Sequence, residues 1–283
     1  GKRSVYIMKK LLVLALAASM TLGLAACGSS SSDKAAEKAP AETTESTDAA
    51  ESTGSDKTWV IAMDTVFRPF EYTDEKGEFV GIDVDIIKAV AADQGFNVDL
   101  RSLGWDAAVT AVQVGQADAL LAGASITEER QANGWIFSDS YYDSYQVFAV
   151  KADSGVESLD DLKGKTIAVK NATAGAQYAE SLKDEYGFQI STYEDSPSMY
   201  QAVVLGQADA CVEDKPIIQD WIVSKGLALK TVDAMESDPA PYGFAIMNEA
   251  IHPLLDMFNA GLADIKANGT YDEILAKYLG ESK

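Results

Sequence analysis

Arg130 and Asp214 carry complementary chemistry. A guanidinium grips a carboxylate with two parallel hydrogen bonds, and an aspartate accepts from an ammonium. Together they would hold an α-carboxylate and an α-amine, the two ends of a free amino acid. Each residue also has a plainer reading. Arg130 closes the run Thr127-Glu128-Glu129-Arg130, where Thr127 is of the type that caps a helix N-terminus and acids fill the first turn. It could be a solvated surface arginine paired with Glu128 or Glu129. Asp214 could equally cap the helix that opens at Lys215-Pro216. Phe67 and Trp105 could wall a site at small entropic cost or pack in a core. Asn171-Ala172-Thr173-Ala174-Gly175 precedes a helix expected near Ala176, and a helix N-terminus with small residues offers N–H groups to an anion. No Gly-Lys-Ser/Thr follows, so this is not a nucleotide-binding loop.

These residues can meet only if the fold brings them together, and the body from Thr58 to about Gly280 has the pattern to do so. Trp59 to Met63 reads as a buried strand, Gly81 to Gln94 as a helix closing near Gly95, and Val98 to Leu103 as a strand. Trp105 to Val114 reads as a helix stopped by Gly115, and Ala117 to Ala122 as another strand. Strands alternating with helices at these lengths imply parallel sheet with crossover helices, an α/β fold. The chain also repeats itself. Ala111-Val112-Gln113-Val114-Gly115-Gln116-Ala117-Asp118-Ala119 returns as Ala202-Val203-Val204-Leu205-Gly206-Gln207-Ala208-Asp209-Ala210, matching at seven of nine positions. Val60-Ile61-Ala62-Met63-Asp64 has a fainter echo in Thr166-Ile167-Ala168-Val169-Lys170. Two similar units suggest two lobes. Ligands of open α/β sheets sit outside the carboxyl ends of the strands. The residues to watch are therefore Asp64 and Ala122-Gly123-Ala124-Ser125 in the first unit, and Lys170 to Thr173 with Val212-Glu213-Asp214 in the second.

Composition narrows the chemistry. Lys+Arg is 23 against Asp+Glu 44, a net charge of −21, which argues against nucleic acid as a partner because phosphate contacts need a basic face. Two cysteines and one histidine cannot build a zinc site of four cysteines, or of two cysteines and two histidines, nor an iron–sulfur cluster or a haem attachment. No metal or other cofactor is expected. His252 as sole histidine argues against a Ser-His-Asp or Cys-His catalytic centre. Cys211 reads as a small buried thiol.

The first 27 residues read as an address. Lys2, Arg3, Lys9 and Lys10 precede an apolar run from Leu11 to Leu24, and Leu24-Ala25-Ala26-Cys27 follows the form of a cut site. The run is short for a membrane span. Leu-Ala-Ala-Cys resembles the bacterial lipobox, in which the cysteine is lipidated; Cys27 is the expected lipidation site. Residues 28–57 hold no Val, Ile, Leu, Met or aromatic side chain. Such a stretch cannot offset its ordering entropy and reads as a disordered linker spanning roughly 30 Å.

The body resembles the family 3 extracellular solute-binding proteins, the polar amino-acid receptors of ABC importers. The resemblance rests on Ala62-Met63-Asp64-Thr65 with Phe67 to Glu71, Gly81-Ile82-Asp83-Val84-Asp85, Ala122-Gly123 through Thr127 with Arg130, Phe137-Ser138-Asp139, Gly206 to Ala210, and Asn268-Gly269-Thr270-Tyr271. It implies a two-lobed type II periplasmic-binding-protein fold, each lobe a mostly parallel sheet flanked by helices. Lobe one is then 58–140 plus 245–281 and lobe two 145–239, with hinges near 141–144 and 240–244. Carried onto this sequence, Arg130 meets the α-carboxylate with amides near Ser125 and Thr173. Asp214 meets the α-amine with the Gly123 carbonyl and Ser125, beside Ala122. Phe67 and Trp105 sandwich the side chain, and Asp64 and Lys170 reach its polar end.

The sequence departs from the family pattern at Glu213, often His in glutamine receptors, and at Ala174, often Gly. Asp64 with Lys170 fits a neutral amide such as glutamine. Asp64 with Glu213 fits arginine or lysine if Lys170 turns away. Glutamine is favoured, because an unpaired Lys170 repels a basic side chain; Lys170 could instead pair with Glu213. The implied partners are a free amino acid, permease subunits with their ATPase, and a membrane reached through Cys27, for a monomer outside the cytoplasm. The alternative is a dehydratase-type enzyme on the same fold, with Glu213, Lys170 and Asp64 as acid–base groups.

Overall fold

The computed structural model describes residues 57–279. The expected secretory segment with Cys27 and the expected linker up to residue 56 lie outside the described residues, as do residues 280–283. In chain order the strands are β1 (Thr58–Met63), β2 (Val66–Phe67), β3 (Glu71–Thr73), β4 (Phe79–Val80), β5 (Asn97–Ser102), β6 (Ala119–Leu120), β7 (Ile136–Phe137), β8 (Gln146–Lys151), β9 (Thr166–Lys170), β10 (Gln189–Tyr193), β11 (Ala210–Asp214), β12 (Leu229–Glu236) and β13 (Ala245–Ile246). The helices are α1 (Ile82–Gln94), α2 (Trp105–Gln113), α3 (Glu128–Ala132), α4 (Ala174–Tyr186), α5 (Ser196–Val204), α6 (Lys215–Lys225), α7 (His252–Ala267) and α8 (Thr270–Leu279).

The strands form two lobes. One sheet has the order β5-β1-β6-β13-β7 and the other β10-β9-β11-β8-β12, with a small antiparallel sheet β2-β3-β4 beside the first. Both large sheets are mostly parallel, which requires helices as crossovers. Each contains one strand that runs against its neighbours, β13 in the first and β8 in the second. In each case the reversed strand is the one that enters the sheet just after the chain has crossed from the other lobe. Helices cover the sheet faces because their apolar sides need burial. Ile86, Ile87 and Val90 of α1 and Leu254, Phe258 and Leu262 of α7 are buried in the same core as Ile61 and Met63 of β1.

The nine-residue repeat is one device built twice. Each copy ends a helix, passes through a left-handed glycine (Gly115 at φ 77°, Gly206 at φ 75°) and starts a strand. Gln116 N donates to Ala111 O and Gln207 N to Ala202 O, both at 2.8 Å. The aspartates then clasp, from both directions, the parallel strand that the new one pairs with, β1 in one lobe and β9 in the other. Asp118 N donates to Val60 O at 2.8 Å, and its Oδ2 accepts from Val60 N at 2.8 Å. Asp209 does the same with Thr166, at 2.8 and 3.0 Å. The repeat therefore sets the register of β6 against β1 and of β11 against β9.

Two elements differ in length from expectation. The strand expected at Ala117–Ala122 keeps its ladder only at Ala119–Leu120. Leu121 N still donates to Ala62 O at 3.0 Å, but Gly123 at φ 53° then turns the chain away. The helix expected near Ala176 begins at Ala174, because the Thr173 hydroxyl accepts from Ala176 N at 3.1 Å and caps an earlier turn.

The segments around 141–144 and 240–244 run antiparallel where the chain passes between sheets. Tyr141 N donates to Tyr242 O at 2.9 Å, Tyr242 N to Tyr142 O at 2.8 Å and Ala240 N to Ser144 O at 2.8 Å. The rings of Tyr142 and Tyr242 stack with centroids 6.0 Å apart, and Phe70 presents its edge to both at 5.0 Å.

Replacing either clasp, Asp118→Ala or Asp209→Ala, removes a hydrogen bond to a strand amide and is expected to cost about 1 kcal/mol. The two clasps lie in different lobes, so urea unfolding of the double variant should give the sum of the single losses.

Candidate functional site

The strand ends of both lobes meet around one small, nearly filled cavity. Phe67, Trp105, Ala122, Gly123, Ser125 and Arg130 line it from the first lobe, and Lys170, Thr173, Glu213 and Asp214 from the second. Asp64 stands outside the lining set, but its carboxylate meets the Lys170 ammonium at 2.5 Å. Ala174 also lines the cavity. A wider, solvent-open cleft is lined by residues from Thr65 to Lys76 with Trp221 and Lys225. In the smaller cavity buried charges of both signs converge.

Local structure explains how each side chain arrives. Thr127 caps α3 by accepting from Arg130 N at 3.2 Å, and this short helix turns Arg130 inward. Arg130 is 5% exposed and forms no ion pair with Glu128 or Glu129. Its Nη1 donates to Ser125 O at 2.7 Å and its Nη2 to Ala172 O at 3.4 Å. Its guanidinium lies 5.1 Å from the ring centroid of Trp105 and 4.8 Å from that of Trp135. Burial lowers its pKa to about 10, with Asp214 and then Glu129 opposing, so it stays charged at neutral pH.

Asp214 occupies the N-cap position of α6, yet its side chain makes no capping bond. Instead it accepts from Gln146 Nε2 at 2.6 Å and from the Tyr242 hydroxyl at 2.5 Å. Burial raises its pKa, while those two donors, Arg130 and Lys170 pull it back. Gly175 is packed tightly behind it, since a Cβ there would lie 2.9 Å from Val212 O and 3.0 Å from Gln146 Oε1.

Lys170 pairs with Asp64 across the lobes rather than with Glu213. Burial opposes its charge, but Asp64 and then Glu213 lift its pKa above the ordinary lysine value. Glu213 takes three donors of its own lobe: Ser196 Oγ at 2.7 Å, Tyr200 OH at 2.9 Å and Asp214 N at 2.8 Å. Burial, then the neighbouring Asp214, push its pKa up to about 7.

More contacts bridge the lobes around the cavity. Trp105 Nε1 donates to Ala172 O at 3.1 Å, Asn171 Nδ2 to Asp106 Oδ2 at 3.0 Å and Arg68 Nε to Asp220 Oδ2 at 2.9 Å. Ala172 holds a left-handed φ of 54°, which aims its carbonyl at the first lobe. Sequence reasoning missed the residues that hold the charged groups: Gln146 and Tyr242 for Asp214, Ser196 and Tyr200 for Glu213. Ser196 and Tyr200 stand one turn apart on α5, a spacing visible in the sequence, but their partner lies on β11.

Residues 59–281 match the model of the bacterial extracellular solute-binding proteins, family 3. The chain belongs to this family. It is 29% identical over 280 residues to the arginine-binding extracellular protein ArtP of Bacillus subtilis (strain 168), covering 98% of this chain and 100% of that protein. The fold matches an ancestral arginine-binding protein bound to arginine with a TM-score of 0.72 at 31% identity, covering 79% of this chain and 98% of that one. Substrate binding domain 2 of Lactococcus lactis GlnP, in its open conformation, is more identical at 36% but superposes less well. Its TM-score is 0.56, over 82% of this chain and 99% of that one. Membership gives the chain a place outside the cytoplasm and a solute to bind.

Glu213 gives a pH signature. Its folded pKa lies above the unfolded one, so the folded state holds the proton more tightly, and stability falls as pH rises from about 4.5 towards about 7. Glu213→Gln lacks this titration. Its thermal midpoint should therefore rise relative to the wild type between pH 5 and pH 8, by the equivalent of about 1–3 kcal/mol. A constant difference between the two midpoints across that range contradicts the buried-proton reading.

Proposed function

We propose that this protein is the capture component of an ABC importer, closing its lobes on a free polar L-amino acid and passing it to a membrane permease. The observation that carries this reading is the convergence of buried Arg130 and Asp214, one from each lobe, on a single cavity. In this scheme Arg130 takes the α-carboxylate, helped by amides near Ser125 and by Thr173 at the α4 N-terminus. Asp214 takes the α-amine with the Gly123 carbonyl and Ser125, and Phe67 and Trp105 flank the side chain.

Glutamine is the favoured ligand, with arginine and lysine next. An inserted side-chain amide would accept from Lys170 and donate to Asp64, replacing their mutual bond with two neutral-to-charged ones. A cationic side chain would instead meet an ammonium that Asp64 already holds in place. Glu213, engaged by Ser196, Tyr200 and its neighbour's amide, has little left to offer a cation. The named arginine specificity of ArtP is the counterweight, and it keeps the basic amino acids second.

Closure is the mechanism. Residues 58–140 with 245–281 form one moving body and 145–239 the other, hinged near 141–144 and 240–244. The better superposition on a ligand-bound relative than on an open one supports a closed arrangement here. Ligand bonds made by both lobes, about 1.5–3 kcal/mol each when charge-assisted, stabilise that closed state. The protein acts as a monomeric carrier rather than an enzyme, tethered to the membrane through lipidated Cys27.

A thermal-shift screen of the twenty amino acids tests the assignment. Glutamine at a hundred times its Kd should stabilise the protein by about 2.7 kcal/mol. Arg130→Ala and Asp214→Ala should abolish calorimetric binding while leaving the circular dichroism unchanged. Near-normal affinity in both variants removes the assignment, and a larger shift with arginine or lysine moves the specificity to basic side chains.

A further inference from the structure

A second pair of acids lies under the cavity. Glu71 of β3 and Asp83 in the first turn of α1 are both fully buried, and their carboxyls face each other within hydrogen-bond reach. The backbone holds them there. Asp83 N donates to Phe70 O at 2.9 Å and Ile82 N to Pro69 O at 3.0 Å. Gly81 lets the helix start lie this close, since a Cβ there would fall 2.0 Å from Phe70 O. The two acids therefore cannot separate to relieve repulsion.

The donors are shared unequally. Asp83 Oδ2 accepts from Gly123 N at 2.8 Å and from Tyr141 OH at 3.0 Å. Both oxygens of Glu71, and Oδ1 of Asp83, have no protein donor. Two bare carboxylates in contact inside a core are untenable, and one proton between them joins one Glu71 oxygen to Asp83 Oδ1 and removes the repulsion. It belongs on Glu71, because the donors to Asp83 favour that side chain's anion. Gly123 lines the cavity, and its positive φ and its close packing under Phe67 leave it no side chain with which to hold itself.

We propose that Glu71 and Asp83 hold a single proton between them, and that this carboxyl–carboxylate pair is the positioning device that fixes the Gly123 amide and with it one wall of the ligand cavity. The groups facing the pair are Tyr141, Asp64 and Lys170, with Tyr271 more distant. Burial, then the facing Asp83 and Asp64, push the Glu71 pKa far up, against the pull of Lys170. Burial raises that of Asp83 to about 6. Both directions agree with one retained proton at neutral pH.

The proposal's consequence for ligand affinity rests on the capture reading above; the proton and the Gly123 amide can be tested without any ligand. Infrared spectra of the wild type at pH 7 should show a protonated-carboxyl C=O band that Glu71→Gln removes. The glutamine amide still donates to Asp83, so Gly123 amide exchange in E71Q should match the wild type, whereas Glu71→Leu should accelerate it about tenfold or more. Affinity for L-glutamine should follow the same order, kept in E71Q and about tenfold weaker in E71L. The absence of any band difference between the wild type and E71Q overturns the shared proton. Equal Gly123 protection in E71Q and E71L overturns the positioning role, and because E71Q needs no loss of fold, an unfolded E71L still leaves the infrared comparison decisive. If no amino acid binds the wild type, the capture reading fails while the first two measurements still judge the pair.

Discussion

A charge taken out of water must meet its opposite, bond strongly to neutral donors, or give up the charge. The cavity of this protein holds Arg130, Lys170, Glu213 and Asp214, all nearly dry. Each solves the problem differently. Lys170 reaches across to Asp64 of the other lobe, Asp214 takes an amide and a phenol, Arg130 lies on two indoles and two carbonyls, and Glu213 drifts towards its neutral form. Two of these solutions, those of Lys170 and Arg130, use groups of the opposite lobe. The charges are thus dry where the two lobes meet, which is where the proposed zwitterion would have to supply better partners.

Around this centre the fold works mainly by close backbone approach. Gly123 fits beneath Phe67 and Tyr242, and Gly175 fits against the end of β11. Gly81 lets α1 start against Phe70. At none of the three could a side chain be added without moving its neighbours. The left-handed Ala172 places its carbonyl where Trp105 and Arg130 both find it. The two crossing segments, paired through Tyr141, Tyr142 and Tyr242, join the lobes beside these contacts, and the Tyr242 hydroxyl ends on Asp214. The connection between lobes and the proposed amine site therefore share a side chain.

Much of the fold was legible because it is local. Glycines at helix ends, a Thr before two acids, and short apolar runs each report on a few neighbouring residues, and the repeated Gly-Gln-Ala-Asp announced a unit built twice. The misjudged ends have local causes too: the Thr173 hydroxyl started α4 early, and the left-handed Gly123 ended β6 early. The candidate site was legible as a set of strand ends but not as a set of bonds. Nothing near Arg130 in the chain says that Glu128 and Glu129 leave it unpaired, and nothing near Lys170 says that Asp64 rather than Glu213 will hold it.

The sequence by itself determined an acidic α/β body of two similar halves, with too few cysteines and histidines for a four-cysteine zinc site or an iron–sulfur cluster, carrying an arginine and an aspartate at strand ends. These follow from residue type and short-range pattern. Which charges pair, which stay bonded within a lobe, and which acid keeps a proton were decided only by the tertiary structure. Such outcomes depend on desolvation and on distances between groups more than a hundred positions apart in the chain, as with Asp64 and Lys170 or Arg68 and Asp220, and no local pattern encodes either.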